Sequence, residues 1–399
     1  MKVAIILPPT ASSFEPVAGL PVIQRIVLSA LRCGFDRIIV LGNEHTPRLR
    51  ALFGGDARSR AVEVTDKLPA LDGATVALIP SDRLVTAATL NRITAASLDG
   101  RPLLFGADGR HDIALCRSSA LPGIDLQTLT PEATEATWAA LRRGGAQQAS
   151  LDGEICLPVR DATSARRAEA ALCRGLRGDS AATDGPLAHW IDRRISLRVS
   201  RWLARHTRVR PNQITLFGTC IGLLGAATLG IGAYWSGVAG TLLFLCATIL
   251  DGCDGEVARL TFSESAFGQK FDVITDNIVH VAIFIGLALG MYHQHPDSHY
   301  MLLMSLLVGG FACDGIVTYF FLVHRPGFAS GGPAPVTFRG KVRRKLLQAF
   351  EAMMNRDFAY LLLALAVIGR LQWFLWGSAF GTYLFALLLI CIYRWREAA

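Results

Sequence analysis

The second half of the chain carries six long apolar stretches, and these restrict its fold more than any other feature. They cover roughly residues 212–233, 236–258, 267–291, 300–323, 357–373 and 376–394. Each is about the length of helix that crosses a hydrocarbon layer of about 30 Å. Inside such a layer every backbone polar group needs an internal partner, which a helix provides. The sequence therefore predicts an all-α polytopic membrane domain with six transmembrane helices over residues 211–399.

Residues 1 to about 180 have a different pattern. Short apolar runs rich in β-branched residues are typical of buried parallel strands. Three such runs occur, at residues 3–7, 37–41 and 74–79. Residues 21–33 have helical spacing that Gly34 ends, so the order of elements predicts an α/β doubly wound domain. The first apolar run is too short for a secretory signal, so we expect this domain in the cytoplasm.

Composition narrows the function classes. A mean hydropathy of +0.37 with 51% hydrophobic residues is too apolar for one soluble domain and fits a soluble part joined to a membrane part. The nine cysteines are odd in number and include no Cys-x-x-Cys pair, which argues against a disulfide framework or a zinc site. A formal net charge of +8 fits nucleic acid, anionic lipid or phosphorylated substrates, and the position of the charge must decide.

Residues 181–210 form a linker followed by an amphipathic segment. Its apolar residues recur every four positions, at Leu187, Ile191, Ile195, Val199 and Leu203. Its arginines fall mostly beside that stripe, at Arg193, Arg194, Arg198, Arg201 and Arg205. This pattern predicts an interfacial helix on an anionic membrane surface. The alternative is an ordinary amphipathic helix packed on the soluble domain.

Basic residues predict the orientation of the membrane domain. They are dense before the first span, and the segment 325–356 holds Arg339, Lys341, Arg343, Arg344 and Lys345. The segment 292–300 contains no lysine or arginine. By the positive-inside rule, both termini of this integral inner-membrane protein face the cytoplasm. The net charge is thus a membrane signature, and we do not expect nucleic-acid binding.

Four carboxylates interrupt the second and third apolar stretches, where charge is costly. Asp251 and Asp254 are three residues apart, and Asp272 and Asp276 are four apart, so each pair shares one helix face. Two such helices facing each other would gather all four acids, which would repel unless cations bind them. Carboxylate-only clusters suit Mg²⁺ or Mn²⁺, and two ions about 3.5–4 Å apart suit displacement at phosphorus. The alternative is a polar clamp between helices or an ion pathway.

Residues around the acids agree with a phosphate-containing ligand. Gly252, Gly255, Ala258 and Gly268 are small enough to let a ligand or helix approach closely. Arg259 is placed to pair with a phosphate. His280 fits either a contact with Asp276, a wall of the acceptor pocket or simple packing. Asp314, in the fourth stretch, fits either an acceptor contact or a structural hydrogen bond.

The segment Asp251-Gly-Cys-Asp-Gly-Glu-Val-Ala-Arg259, with Gly268, Asp272 and Asp276 at their spacings, resembles the complete signature of the CDP-alcohol phosphotransferases. The resemblance extends over about residues 184–395. It implies two bound metals, with Asp251, Asp254, Asp272 and Asp276 as ligands. It also implies that Asp276 takes the proton of an alcohol that attacks the β-phosphorus of a CDP-alcohol, releasing CMP. The CDP site would be lined by Gly255, Ala258, Arg259 and Gly268, with Asn212 and Thr215, and the enzyme would be a homodimer.

The first domain is similar to the sugar nucleotidyltransferases through Pro16-Val-Ala-Gly-Leu-Pro-Val-Ile23 and through Asp82, where that family has a metal-binding aspartate. Those enzymes cradle a triphosphate in a glycine-rich loop with an arginine. Here residues 8–14 contain no glycine, lysine or arginine, so we expect this domain to be inactive.

The fusion of two such domains resembles the bifunctional inositol-phosphate cytidylyltransferases and di-inositol-phosphate-phosphate synthases. The donor is then a CDP-inositol or CDP-diacylglycerol type, and the acceptor is an alcohol or a sugar phosphate, in phospholipid or polar-lipid synthesis. Asn277 follows the last aspartate, where many phosphatidylglycerophosphate synthases have an arginine. The alternative function is a cytidylyltransferase that makes the CDP-alcohol and has the membrane half as partner or anchor.

Overall fold

The computed structural model describes residues 1–71, 73–106, 113–121, 131–180, 185, 187–296, 299–324 and 357–397. The chain forms two compact units, Met1–Gly175 and Leu176–Ala399. The basic segment 325–356 and the side chain of Asp314 lie outside the described part.

The first unit is an α/β domain, as the sequence predicts. Its strands are β1 (Lys2–Ile6), β2 (Pro16–Val17), β3 (Leu20–Pro21), β4 (Arg37–Leu41), β5 (Glu63–Thr65), β6 (Thr75–Ile79), β7 (Arg83–Val85), β8 (Leu103–Gly106), β9 (Ile113–Arg117), β10 (Gln147–Ser150) and β11 (Cys156–Pro158). Its helices are α1 (Val22–Arg32), α2 (Thr46–Gly54), α3 (Ala87–Thr94), α4 (Pro131–Arg143) and α5 (Ala162–Ser180).

Seven strands form one mixed sheet in the order β10-β8-β9-β6-β1-β4-β5. Strand β1 lies between β6 and β4 and is parallel to both, with Val3 opposite Arg37 on β4 and opposite Val76 on β6. Strand β9 runs antiparallel to β6 and β8. The apolar runs are continuous rather than alternating because helices and loops cover both faces of the parallel strands.

A tight turn joins β2 and β3 after the first strand. Ala18 and Gly19 adopt positive φ angles of 46° and 82°. The buried Arg25 of α1 fixes this turn, since it donates to the carbonyl oxygens of Val17 (2.6 Å) and Ala18 (3.0 Å). Burial lowers the pKa of Arg25 to about 10, against the partial compensation of the nearby Glu169 carboxylate.

The second unit is helical. A π-helical turn, Ala188–Asp192, precedes α6 (Arg193–His206). The apolar helices are α7 (Pro211–Leu229), α8 (Tyr234–Thr261), α9 (Ala266–Gln294), α10 (Tyr300–His324), α11 (Phe358–Ile368) and α12 (Leu371–Glu397).

These six helices overlap the six predicted stretches, but the last two are divided at residues 369–370 rather than at residues 374–375. Among the described residues, α7, α8 and α9 are long and apolar enough to cross a membrane. With 11 residues, α11 is about 17 Å long, roughly half a hydrocarbon layer. A membrane-type domain is therefore present, and six complete spans stay a prediction.

Small residues let α7 approach its two long neighbours closely. A β-carbon at Gly225 would lie 2.9 Å from the carbonyl oxygen of Gly240 on α8. On α9, a β-carbon at Gly286 would collide with the backbone of Ala226. Such contacts are the usual means of helix association in lipid, where no hydrophobic force drives it. They fix α7 against both helices that carry the acidic residues.

Candidate active site

Three of the four predicted carboxylates converge. Asp251 and Asp254 lie near the end of α8, and Asp272 lies in the second turn of α9. Each offers an oxygen atom, and the three oxygens lie within 4.8 Å of one another. Asp276 lies one turn further along α9 and is outside this group, with a side chain that is 47% exposed.

The converging carboxylates fit a divalent cation. Asp254 is only 5% exposed, and the Thr215 hydroxyl of α7 donates to its Oδ2 atom. Oδ1 of Asp272 is buried and has no hydrogen-bond partner among the described residues. Buried carboxylates this close repel one another unless positive charge lies between them. An all-oxygen donor set suits Mg²⁺ or Mn²⁺ rather than zinc.

A four-residue turn between α8 and α9 brings the acids together. It begins at Phe262, whose left-handed backbone (φ 55°, ψ 36°) ends α8. It closes at Ser265, whose hydroxyl accepts from the backbone nitrogen of Gly268 (2.9 Å) and so caps α9. A bulky residue with positive φ is an outlier that the surrounding structure must hold in place.

An outer cleft of about 220 Å³ opens beside Asp254 and Asp272. It contains all six residues predicted to bind CDP: Asn212, Thr215, Gly255, Ala258, Arg259 and Gly268. A β-carbon added at Gly255 would meet only Arg259, at 3.9 Å, so this wall of the cleft is open. At Gly268 a β-carbon would come within 3.0 Å of Oδ1 of Asn212, so glycine there lets α7 and α9 meet.

Two helix N-termini line the same cleft, a feature that the sequence reasoning missed. Pro211 and Asn212 belong to the first turn of α7, and Ser265, Gly268 and Gln269 surround the start of α9. The unpaired backbone N–H groups and the dipole at such ends attract phosphate groups. The capping pattern of Ser265 and the proline at the start of α7 were the available signals.

A much smaller inner pocket, of about 20 Å³, also adjoins the carboxylates. Its walls include Asp251, Asp276, Thr215, Thr219, Thr248 and Thr275. The hydroxyls of Thr219, Thr248 and Thr275 donate to carbonyl oxygens of their own helices, at 2.8, 2.8 and 2.9 Å. Their lone pairs are left to receive hydrogen bonds, which suits a hydroxyl-bearing ligand. The carboxylates therefore stand between two cavities, with Thr215 on the wall of both.

His280 contacts the predicted base. Its Nδ1 atom lies 3.2 Å from Oδ1 of Asp276 and 2.8 Å from the backbone oxygen of the same residue. The ring packs against Phe244 and Phe358, with centroid distances of 5.8 and 5.5 Å. Of the roles left open for His280, the structure contains both the contact with Asp276 and the packing, whereas His280 is not among the residues that line the inner pocket.

Glu256 was not identified from the sequence as a functional residue, yet it connects α8, which carries Asp251 and Asp254, to α6. It is 1% exposed and lies on the side of α8 opposite the converging acids. It accepts hydrogen bonds from Arg193 (2.9 Å), Ser196 (2.7 Å) and Ser200 (2.7 Å), all on α6. A buried carboxylate surrounded by donors fixes both the position of α6 and the rotation of α8.

The same contacts show which face of α6 is buried. Ser196, Ser200 and Ala204 face α8, while Leu187, Ile191 and Ile195 are 39–44% exposed. Serine is polar, so hydrophobic periodicity does not identify Ser196 and Ser200 as buried residues. The first three residues of the apolar stripe are thus left for another environment, whereas Val199 and Leu203 are partly buried against Ile214, Cys253 and Val257.

The loop after β1 in the first unit is closed by its own hydrogen bonds. Ser13 donates to Ser81 (3.0 Å), and Ser81 donates to the carbonyl oxygen of Pro8 (2.8 Å). Asn43 donates to the carbonyl oxygen of Pro9 (2.7 Å). The carboxylate of Asp82 lies 3.8 Å from the guanidinium of its neighbour Arg83. Ser13, Ser81 and Asn43 are thus engaged in hydrogen bonds around this loop.

Comparison with known proteins shows which sequences and structures this chain resembles. Residues 208–393 match the model of the CDP-alcohol phosphatidyltransferase family. The Archaeoglobus fulgidus protein named bifunctional IPC transferase and DIPP synthase is 34% identical over 139 residues, which are 35% of this chain and 27% of that protein. The Mycoplasma genitalium CDP-diacylglycerol–glycerol-3-phosphate 3-phosphatidyltransferase is 35% identical over 80 residues, 20% of this chain and 32% of that protein.

The chain therefore spans about a quarter to a third of the length of these relatives. Among solved structures, Rv0371c of Mycobacterium tuberculosis H37Rv in complex with manganese is similar with a TM-score of 0.35 and 17% identity. That similarity covers 42% of this chain and 97% of the mycobacterial one.

Proposed function

We propose that the CDP-alcohol phosphatidyltransferase domain of residues 208–393 transfers a phospho-alcohol group from a CDP-alcohol to a second alcohol and releases CMP. One observation carries the proposal. The carboxylates lie between an outer cleft that contains every predicted CDP-binding residue and an inner pocket that is rich in hydrogen-bond acceptors. Such an arrangement gives donor and acceptor separate approaches to one reacting phosphorus.

The outer cleft is the donor site in this proposal. Arg259 and the N-termini of α7 and α9 neutralise the diphosphate, and the small Gly255 and Ala258 leave room for it. The CDP group then reaches the edge formed by Asp254 and Asp272.

Two divalent ions, Mg²⁺ or Mn²⁺, would be held by Asp251, Asp254, Asp272 and Asp276. When bound, they supply positive charge that stabilises the transferring phosphoryl group and the departing CMP. Thr215 keeps the Asp254 carboxylate oriented through its hydrogen bond. Asp276 shares the wall of the inner pocket with Asp251, and from there its carboxylate would contribute to the same site.

The inner pocket receives the attacking hydroxyl. The oxygen of the acceptor alcohol forms a bond to the β-phosphorus, and the bond from that phosphorus to the CMP oxygen breaks. Asp276 takes the proton of the hydroxyl, which increases its nucleophilicity. CMP leaves through the outer cleft with the electron pair of the broken bond.

The names of the relatives indicate classes of donor and acceptor for this reaction. They agree with a donor of the CDP-inositol or CDP-diacylglycerol type and an acceptor that is an alcohol or sugar phosphate. We further propose a homodimer with six spans and cytoplasmic termini in the inner membrane. The exposed apolar stripe of α6 would lie in the lipid interface, with its arginines at the anionic headgroups.

Purified full-length protein should release CMP from a CDP-alcohol only when Mg²⁺ or Mn²⁺ is present. Because the acids need cations between them, excess EDTA should stop the reaction and added metal should restore it. A panel of CDP-linked donors and acceptors, read by mass spectrometry, would identify the product. Release of CMP that continues unchanged in EDTA would contradict the metal assignment.

We propose that the first unit is not an active cytidylyltransferase, because the loop that would hold a triphosphate is occupied by its own hydrogen bonds. Full-length protein incubated with CTP, Mg²⁺ and inositol phosphate should therefore produce no pyrophosphate above the level without inositol phosphate. Rapid pyrophosphate production would restore the alternative, in which the first unit makes the CDP-alcohol.

A further inference from the structure

The hydrogen bond of His280 determines which of its ring nitrogens carries the proton. Its Nδ1 atom lies 2.8 Å from the backbone oxygen of Asp276. A carbonyl oxygen can only accept a hydrogen bond, so Nδ1 must carry the proton. The same N–H faces Oδ1 of the Asp276 carboxylate at 3.2 Å. The Nδ1–H group thus donates to the carbonyl oxygen of Asp276 and lies beside the carboxylate of the same residue.

The imidazole ring is held in this orientation by aromatic packing. Phe244 is fully buried and meets the ring edge to face at 5.8 Å, and Phe358 lies 5.5 Å from it. The two phenylalanines also contact each other, with centroids 5.5 Å apart. Close packing on two sides restricts rotation of the ring, so Nδ1 stays directed at Asp276.

Two residues close to Phe358 in sequence, Asp357 and Tyr360, make hydrogen bonds that hold the start of α11. Asp357 accepts from the backbone nitrogens of Leu187 (3.2 Å) and Ala188 (2.8 Å). Tyr360 donates its hydroxyl to Asp192 in the same turn before α6. These hydrogen bonds connect the start of α11 to the turn before α6, the helix that also donates to Glu256. Phe358 therefore has little freedom to move away from His280.

Asp276 is the most exposed of the four acids. Its side chain is 47% exposed, whereas Asp254 is 5% exposed and bound by Thr215. An exposed aspartate samples several rotamers, and only some of them face the inner pocket. A base must lie within hydrogen-bond reach of the proton it removes.

We propose that His280 is a positioning residue: its Nδ1–H holds the Asp276 carboxylate toward the inner pocket, and Phe244 and Phe358 hold the ring. The inference rests on the proposed function, in which Asp276 takes the acceptor proton. His280 transfers no proton itself. Partners of this kind are typically worth about 10–100-fold in activity or metal affinity.

A pair of amide variants tests the proposal. In His280→Asn the amide nitrogen replaces Nδ1, whereas in His280→Gln it reaches the place of Nε2. We expect kcat for CMP release to fall about 10–100-fold in His280→Gln, with KM for the CDP-alcohol unchanged, and His280→Asn to recover most of the rate. Phe358→Leu should resemble the Gln variant. Equal kcat values for the Asn and Gln variants, or a loss confined to KM, would overturn the proposal.

A second measurement does not depend on activity. Full-length protein labelled with ¹⁵N-histidine gives distinct resonances for protonated and bare ring nitrogens, and His280→Asn identifies the His280 signals by their loss. We expect a protonated Nδ1 in the wild type. An unprotonated Nδ1 in His280 would contradict the inference. Wild-type protein that releases no CMP from any donor would instead refute the proposed function, while the ring signals still report on the hydrogen bond.

Discussion

Replacement of Asp254 by asparagine is expected to reduce CMP release at least about a thousandfold, because metal ions supply several kcal/mol of transition-state stabilisation and each 1.4 kcal/mol is a factor of ten. Asparagine keeps the shape of the side chain and an oxygen that still accepts from Thr215, so the helix packing should survive. The substitution removes one of the three negative charges of Asp251, Asp254 and Asp272, whose carboxylate oxygens lie within 4.8 Å of one another.

The rate of CMP release and the binding of Mn²⁺, followed by electron paramagnetic resonance, should both be lost in Asp254→Asn. Asn277→Ala is the matched control, since Asn277 adjoins Asp276 on α9 but donates only to the carbonyl of Val273 (2.6 Å) among the bonds described. It should keep both properties near the wild-type level. An Asp254→Asn protein that retains a tenth of the wild-type rate would show that these acids are not the metal site.

Replacement of Arg193 by methionine should produce the largest loss of stability. Arg193 and Glu256 are 11% and 1% exposed, and their ion pair is 2.9 Å long. Removal of one partner leaves a buried charge uncompensated, which typically costs about 3–5 kcal/mol. At roughly 2–4 °C per kcal/mol for a unit of this size, the melting temperature in detergent should fall at least about 6 °C.

Two further variants separate charge loss from simple truncation. Arg198→Met removes an exposed arginine from the same helix and should leave the melting temperature nearly unchanged. The double variant Arg193→Met with Glu256→Gln should recover most of the loss, because a neutral amide oxygen still accepts from Ser196 and Ser200 and requires no cation. If Arg193→Met and Arg198→Met melt at the same temperature, the buried pair does not hold α6.

The sequence by itself determined the division into an α/β part and an apolar helical part, since periodicity and apolar length depend only on neighbouring residues. The strands at residues 37–41 and 75–79 follow from apolar runs that suit a sheet covered on both faces. The pairing of Asp251 with Asp254 also follows locally, because residues three apart share a helix face.

Tertiary structure alone decided how these faces meet. Thr215 reaches Asp254 across 39 residues, and Arg193 reaches Glu256 across 63. Helical periodicity states which residues share a face, but the partner and the rotation of that face are fixed by close packing at glycines and by hydrogen bonds distant in sequence. For the same reason Asp276, though spaced like the other acids, lies apart from them and beside His280. The buried face of α6 consists of Ser196, Ser200 and Ala204 rather than of its apolar residues.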